Sequence, residues 1–328
     1  MYKYKKYSQI FNYGLGLFFA VSIGISTVAA QEFPTRPVTL VVPYPAGGGA
    51  DIIARMLAES MKPFLGQAVT VTNRPGGQGT IGTAEVIGMP PDGYNLVLSA
   101  AATLTVQPHR QDLPYNTPND YDPIIKAANL PMVLAVLSNS QWKSSKELIE
   151  YARANPGKVR VGSPGNGSVG HLIIVSVNKK AGIKLGHVPY ASGAESIPSM
   201  LGGHIEAVVA HPSELLPHVK AKTVTVLGVF EDQRNANFPA APTFREMGYD
   251  VSMGVYYPVV APKNLPADVK LKLYKSAKAA IESPAFKAQA KERGYNLEVK
   301  DPEALRKDLW IAYQANGKLV NELGLGKK

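Results

Sequence analysis

The stretch VTLVVPYPAGGGADIIARMLAE, residues 38–59, contains the pattern that best indicates the fold class. It runs from a β-branched strand pattern through a glycine-rich turn into an amphipathic helix. The same order recurs in NRPGGQGTIGTAEVI from Asn73 and GSPGNGSVGHLII from Gly162. Strands that alternate with helices predict an α/β fold, in which mainly parallel sheets are flanked by helices. Because the first turn of a helix has unpaired N–H groups and the positive end of the macrodipole, each glycine turn is a candidate anion site.

The first 30 residues have the pattern of a secretory signal peptide. Three lysines precede an apolar run over residues 15–25, and small residues end at Ala30. The run is shorter than the ~20 apolar residues of a membrane-spanning helix. We therefore expect cleavage before Gln31 and a periplasmic location.

The length predicts two lobes. The chain has 328 residues, 45% of them hydrophobic. A chain of this length is longer than one hydrophobic core usually serves. We expect a first lobe of residues 31–128 and 256–328 and a second lobe of residues 129–255.

The pattern of the C-terminal part is the reason why we assign it to the first lobe. From Leu265 to Leu323 the pattern is almost wholly helical, so this segment must pack on a sheet built earlier in the chain. The chain would then cross between the lobes near residues 127–130 and 254–258, which are the predicted hinge.

Composition excludes several classes of function. The formal net charge is +10, but the basic residues are scattered, which argues against a nucleic-acid partner. The absence of cysteine excludes disulfides and thiolate metal sites. The six histidines share no common face with acidic residues, so we predict no metal site and no cofactor.

Two of the glycine turns match the dinucleotide motif G-x-G-x-x-G, over residues 77–82 and 165–170. That motif needs an acidic residue at the end of the next strand, and neither copy has one. We expect the turn at residues 77–82 to be mainly structural. Asp51 is interpreted as a helix cap, because a carboxylate at the first turn would repel an anionic ligand.

Several longer strings resemble one family. FPTRPVTLVVPYPAGGGADIIARMLAE, VTVTNRPGGQGTIGTAEV, GNGSVGHL and HVPYASGAESIPSMLGGHIEAVV are similar to the periplasmic substrate-binding proteins of tripartite tricarboxylate transporters, the Bug-type receptors. The resemblance extends from about Phe33 to the C-terminus. It implies a two-lobe periplasmic binding protein of the Venus-flytrap type, which performs no chemistry. We expect a monomer that delivers a small organic carboxylate to membrane transporter subunits.

The resemblance also implies which residues bind the ligand. Backbone amides of the first turn and of the third turn would hold carboxylates, and glycine lets the backbone come close. In the first lobe these residues are Tyr44, Ala46, Gly48, Ser99, Ala101 and Thr103. In the second lobe they are Ser163, Asn166, Gly167, Ser168 and Val169.

One departure from the family pattern concerns the ligand. Ala210 and His211 stand where the family often has an Asp-Asn pair, and an aspartate there would favour a ligand with an ammonium group. Its absence argues against an amino acid. His211 would instead donate to a distal carboxylate, so we expect a dicarboxylate or an aromatic carboxylate.

Two alternatives stay open. The first is a ligand sensor of the same fold that docks on a signalling receptor. The second is a secreted α/β enzyme, for which a nucleophile and a base within the cleft would be the deciding feature. Ser163 and Ser168 lack the preceding glycine of a nucleophile elbow, so the sequence offers no such pair.

Overall fold

A computed structural model describes residues 32–322 and 324–327, which fold around two β-sheets. The strands are β1 (Val38–Val42), β2 (Val69–Asn73), β3 (Asn95–Leu98), β4 (Tyr121–Leu130), β5 (Val133–Leu137), β6 (Arg160–Ser163), β7 (Gly186–Pro189), β8 (Ala207–Ala210), β9 (Val224–Val229), β10 (Val255–Pro262) and β11 (Asn296–Lys300). The helices are α1 (Gly49–Leu65), α2 (Thr80–Ile87), α3 (Ala101–Thr105), α4 (Ser145–Ala154), α5 (Val169–Ala181), α6 (Gly193–Leu201), α7 (Pro212–Lys220), α8 (Ala267–Glu282), α9 (Pro284–Glu292) and α10 (Pro302–Glu322).

The first sheet has the strand order β11-β4-β10-β3-β1-β2. Its two faces are covered by different helices. Leu40 of β1 shares a core with Ile53 of α1. The next residue, Val41, points to the opposite face and packs with Val86 of α2 and Leu309 of α10. This alternation places the sheet between two helical layers, and we call this part the first lobe.

The second sheet has the strand order β7-β6-β8-β5-β9. Leu134 of β5 shares a core with Leu148 of α4 and Ile173 of α5. The adjacent Val133 belongs to a separate core, which it shares with Ile197 of α6 and with α7. This sheet too lies between two helical layers, and we call this part the second lobe.

The prediction of mainly parallel sheets is wrong in one respect, because both sheets are mixed. β1 runs parallel to β2 and β3, and β6 runs parallel to β7 and β8. β10 pairs antiparallel with β3 and β4, and β5 pairs antiparallel with β8 and β9. The parallel parts come from strand–helix–strand units, whereas the antiparallel parts are the strands at which the chain passes between the sheets.

The C-terminal part also differs from expectation. It is helical except for β11, which pairs antiparallel with β4 at the edge of the first sheet. The short segment Asn296–Lys300 alternates polar with apolar residues, a pattern of a half-buried strand. Its neighbours α8, α9 and α10 pack on the first sheet as expected.

The connection between the two sheets is a two-stranded ribbon. β4 leads directly to β5, and the chain returns through β10, which pairs with β4 from Tyr121 opposite Pro262 to Leu130 opposite Val255. The pairing shifts its register between Tyr256 and Pro258 and again between Val259 and Val260. The predicted hinge segments lie in this ribbon.

The expected signal peptide lies outside the described residues. Within the chain that the structure does describe, none of the helices is both long and apolar enough to cross a membrane.

Candidate ligand-binding cleft

A cavity lies between the two lobes, and both lobes line it. The centre of a water molecule can reach about 60 Å³ of this cavity. On the same measure, a cavity that holds one water has roughly 10–15 Å³. The cavity therefore has room for a small organic molecule. The starts of α1 and α5 face it from opposite lobes, and the starts of α6 and α7 complete the wall on the second-lobe side.

The first-lobe wall begins at the turn after β1. Gly48 is the N-cap of α1, and Asp51 lies in the first helical turn, where its carboxylate accepts the N–H of Gly47 at 3.0 Å. Asp51 therefore stabilises the turn, as expected of a capping group, although it is not the N-cap residue itself. Burial works to raise the pKa of Asp51, but hydrogen bonds from Arg55, Gly47 and Asn73 bring it below its usual value.

Behind this turn, Tyr44 organises a chain of hydrogen bonds. Its hydroxyl accepts the N–H of Ala100 at 3.0 Å. Thr103 donates its one hydroxyl proton to the carbonyl of Gln78 at 2.9 Å, so Tyr44 donates to Thr103 Oγ1 at 2.7 Å. A Cβ at Gly79, whose φ is +87°, would lie 2.7 Å from the Tyr44 hydroxyl. Only glycine fits there.

This chain of hydrogen bonds changes the interpretation of the middle glycine turn. We expected the turn at residues 77–82 to be mainly structural, but Gln78 lines the cavity and its carbonyl fixes Thr103, another lining residue. The turn thus takes part in the site through one side chain and one backbone carbonyl.

The second-lobe wall is the start of α5. Ser168 is the N-cap and its Oγ accepts the N–H of His171 at 3.2 Å, while Gly167 donates its N–H to Nδ1 of the same histidine at 3.0 Å. Arg110 approaches this turn from the first lobe and donates through Nη1 to the carbonyl of Asn166 at 2.8 Å. A positive charge from one lobe therefore lies against the glycine turn of the other.

Ser163 lies behind the second-lobe turn, fully buried and outside the cavity wall. Its Oγ is 2.8 Å from Nε2 of His187, whose ring stacks on His171 at 4.3 Å. Burial, and secondly the charge of His171, lower the pKa of His187 to about 4. The sequence did not reveal this serine–histidine pair, because the two residues come from neighbouring strands.

His211 lines the cavity, but hinge groups occupy its ring nitrogens. Nδ1 donates to the carbonyl of Pro131 at 2.9 Å, so in the neutral ring Nε2 accepts from the hydroxyl of Tyr257 at 3.2 Å. Pro131 and Tyr257 belong to the two connections between the lobes. The geometry ties His211 to the hinge, which differs from the expected role as a donor to a ligand.

Glu214 is one of the cleft residues that sequence reasoning missed. Its Oε1 accepts the N–H of Gly49 at 3.1 Å across the cleft, and its Oε2 accepts the N–H of His211 at 2.9 Å. The second bond has a sequence signal, since glutamate three residues after a helix cap often bonds back to the cap. The first bond joins residues 165 positions apart and has none.

The family model "Tripartite tricarboxylate transporter family receptor" matches residues 53–325. The chain belongs to this receptor family. The resemblance to Bug-type receptors and the two-lobe periplasmic binding protein fold are thereby confirmed.

Individual relatives agree with the assignment. The receptor is 34% identical over 276 residues to the UPF0065 protein in gbd 5'region of Cupriavidus necator, which covers 81% of this chain and 82% of that one. Periplasmic binding protein BugD superposes with a TM-score of 0.85 at 31% identity, covering 90% of this chain and 100% of that chain. Rpa4515 of R. palustris, solved with adipate, gives a TM-score of 0.85 at 26% identity, with coverage of 90% and 100%.

The twelve predicted binding residues of this receptor fall into two groups. Those that line the cavity are Tyr44, Gly48, Thr103, Gly167, Ser168, Val169 and His211. Those that do not are Ala46, Ser99, Ala101, Ser163 and Asn166. Of the second group, Ser99 and Ser163 are fully buried behind the wall, and Ala46 and Asn166 are exposed beside it.

Further residues complete the wall without having been predicted. Those with polar or aromatic side chains are Gln78, Gln107, Ser192, Glu214 and Tyr257. Among the residues that the structure describes, the wall contains the carboxylate of Glu214 but neither a lysine nor an arginine. The groups at this wall whose chemistry suits an anion are therefore backbone N–H groups and the nearby guanidinium of Arg110.

Proposed function

We propose that this receptor captures a small organic carboxylate, a dicarboxylate or an aromatic carboxylate, between its lobes and delivers it to membrane transporter subunits. The observation that carries the proposal is a cavity that both lobes line and that the N–H groups of the first turn of α5 face. A carboxylate accepts such N–H groups without needing a cationic side chain in the wall. The adipate in Rpa4515 shows that a structural relative takes a ligand of this class.

Capture would work by closure of two bodies, residues 31–128 with 256–328 and residues 129–255. Contacts such as Gly49 with Glu214 and Arg110 with Asn166 exist only when the lobes meet. A ligand that touches both walls favours the closed form by its differential affinity for it. The ribbon of β4 and β10 would be the hinge of this motion.

Receptors of this family are periplasmic, and we propose that this one reaches the periplasm through a signal peptide cleaved before Gln31. It would act there as a monomer and without catalysis. An enzymatic function is the less favoured hypothesis, because Ser163 and His187 lie outside the cavity wall. The lowered pKa of His187 also makes it a weak base.

Thermal unfolding of the mature chain with a panel of carboxylates tests this function. A ligand at a hundred times its dissociation constant stabilises by about 2.7 kcal/mol, which raises the melting temperature by a few degrees for a chain of this size. No shift with any organic acid would overturn the proposed receptor role. An amino acid that bound more tightly than every simple carboxylate would overturn the proposed ligand class.

A further inference from the structure

The carboxylate of Glu214 occupies a position that three helix starts share. It accepts N–H groups at the start of α1 and at the cap of α7. It also lies against Gly193, the first residue of α6, where an added Cβ would overlap Oε2. Helix starts attract anions because their N–H groups and dipoles point outward. Here the anion is the protein's own side chain.

A ligand carboxylate cannot use this position while Glu214 holds it. Glu214 is 8% exposed, and each of its two carboxylate oxygens accepts a backbone N–H. Two carboxylates a few ångströms apart in a buried site repel each other strongly. The first-lobe side of the cavity therefore disfavours an anionic group.

The second-lobe side has the opposite electrostatic character. Val169 and Gly170 present the first turn of α5 to the cavity, where backbone N–H groups have no partner within the helix. The guanidinium of Arg110 lies against the same turn, and its Nε is buried without a hydrogen-bond partner among the described residues. One carboxylate fits this side.

A second cavity shows where the rest of a ligand would lie. It measures about 310 Å³ and shares three apolar wall residues, Ala102, Val169 and Val255, with the first cavity. Leu172 and Leu319 add to its apolar wall. An apolar body that extends from a carboxylate at α5 would enter this space and leave water.

We propose that Glu214 is a specificity-determining residue: it fills the first-lobe anion position, so the receptor takes ligands with a single carboxylate and an apolar body. This inference rests on the proposed function and narrows the small organic carboxylates given there to those with a single carboxylate group, aromatic ones among them. Monocarboxylates such as alkanoates and benzoates belong to the selected class. Simple dicarboxylates do not.

Two matched pairs of probes test the inference by calorimetry: hexanoate with adipate, and benzoate with terephthalate. Within each pair the compounds differ by one added carboxylate. For the wild-type receptor we expect the monocarboxylate to bind at least about tenfold more tightly in each pair that binds. In Glu214→Ala the first-lobe N–H groups become available, and the preference should shift by at least about tenfold toward the dicarboxylate.

Glu147→Ala is the matched control. Glu147 has the same place in α4 as Glu214 has in α7, and it bonds back to the N–H of Lys143, but it is exposed and does not line the cavity. Both substitutions remove a glutamate from a helix start, so both should lower thermal stability slightly. The control should keep the wild-type preference. Glu214→Gln, which removes the charge at constant size, should show the same shift as Glu214→Ala in smaller measure and covers the case that the alanine variant does not fold.

Three results would overturn the inference. The first is a wild-type receptor that binds adipate or terephthalate as tightly as its partner compound. The second is an unchanged preference in both Glu214 variants. The third is the absence of binding by all four probes. The proposed function itself would fall only if the wider carboxylate panel also produced no thermal shift.

Discussion

The two glycine turns that face each other across the cleft follow the same order of elements but have opposite surroundings. The first turn follows a strand and opens α1 in one lobe. The turn that opens α5 in the other lobe, called the second turn from here on, also follows a strand. The first turn meets the carboxylate of Glu214 from the second lobe, and the second turn meets the guanidinium of Arg110 from the first lobe. A helix start by itself thus only offers an anion site. In the binding mode that we propose, a residue from the opposite lobe decides whether a ligand can use it.

The largest effect is expected from closing the second turn with a side chain. Gly167 has φ +76°, and an added Cβ would overlap the guanidinium of Arg110. Gly167→Val should therefore weaken carboxylate binding by at least about 100-fold, or about 2.7 kcal/mol, in calorimetry. The fold should persist, with a cost of about 1–2 kcal/mol for the strained backbone.

Gly157→Val controls for that strain. Gly157 has φ +78°, yet an added Cβ would meet nothing within 4 Å. This variant should lose similar stability and keep its affinity. Unchanged affinity in Gly167→Val would show that the second turn does not contact the ligand.

A smaller effect is expected from removing the cation at the second turn. Arg110→Ala deletes the bond to the carbonyl of Asn166 between the lobes and the positive charge beside the turn. We expect binding to weaken about tenfold, close to the 1.4 kcal/mol that one charge-assisted hydrogen bond can supply. Calorimetry with the best carboxylate of the panel measures it.

Arg153→Ala is the control for Arg110→Ala. Arg153 also donates to a backbone carbonyl, that of Ala181 at 3.1 Å, but both residues lie within the second lobe. It should bind as the wild type does. Equal losses in the two variants would refute a specific role for Arg110.

The smallest expected effect is a difference between the two turns in how the free energy of unfolding depends on pH. Burial, aided by His171, lowers the pKa of His187 behind the second turn from 6.5 to about 4. The unfolded chain therefore binds more protons between these values, so the free energy of unfolding falls as the pH drops from 6.5 to 4. For Asp51, behind the first turn, burial is outweighed by hydrogen bonds that lower the pKa from its ordinary value of 3.8, so the stability that it contributes is lost mainly below this window. The second turn should thus be the acid-sensitive one.

Urea unfolding at pH 7 and pH 4.5 measures this difference. His187 is partly exposed, so we expect it to account for about 1–2 kcal/mol of the pH dependence, less than the full shift implies. His187→Gln should show correspondingly weaker pH dependence, whereas the exposed His204→Gln should behave as the wild type. A pH dependence that His187→Gln leaves intact would contradict the assignment.

Local patterns in the sequence predicted much of the fold. The alternation of strands and helices, the three glycine turns and the return of the C-terminal helices to the first sheet all follow from short-range periodicity and turn chemistry. β11 was missed because five half-polar residues near a glycine carry a weak strand signal. The antiparallel pairs were missed because strand direction depends on which strands the chain brings together.

The site was harder to predict than the fold, for a physical reason. Glu214 and Arg110 act on turns in the opposite lobe, so their roles depend on long-range contacts that no local spacing encodes. Gln78 was not predicted, because its turn lacks the acidic residue of a dinucleotide site and was therefore interpreted as mainly structural, yet its carbonyl fixes Thr103. The role of His211 as a donor to the ligand was inferred from a departure from the family pattern. Its ring nitrogens instead face groups in the two connections between the lobes.

The ribbon of β4 and β10 has a mechanical consequence. Proline cannot donate a hydrogen bond, and Pro258 of β10 and Pro123 of β4 both lie within the paired strands, next to the shifts in register. The ladder is thus interrupted at two points within the part of the ribbon that belongs to the first sheet, where β10 also pairs with β3. In the proposed closure such a ribbon would act as a flexure: rotation of one lobe against the other would bend it elastically over several residues, and no single joint would have to break.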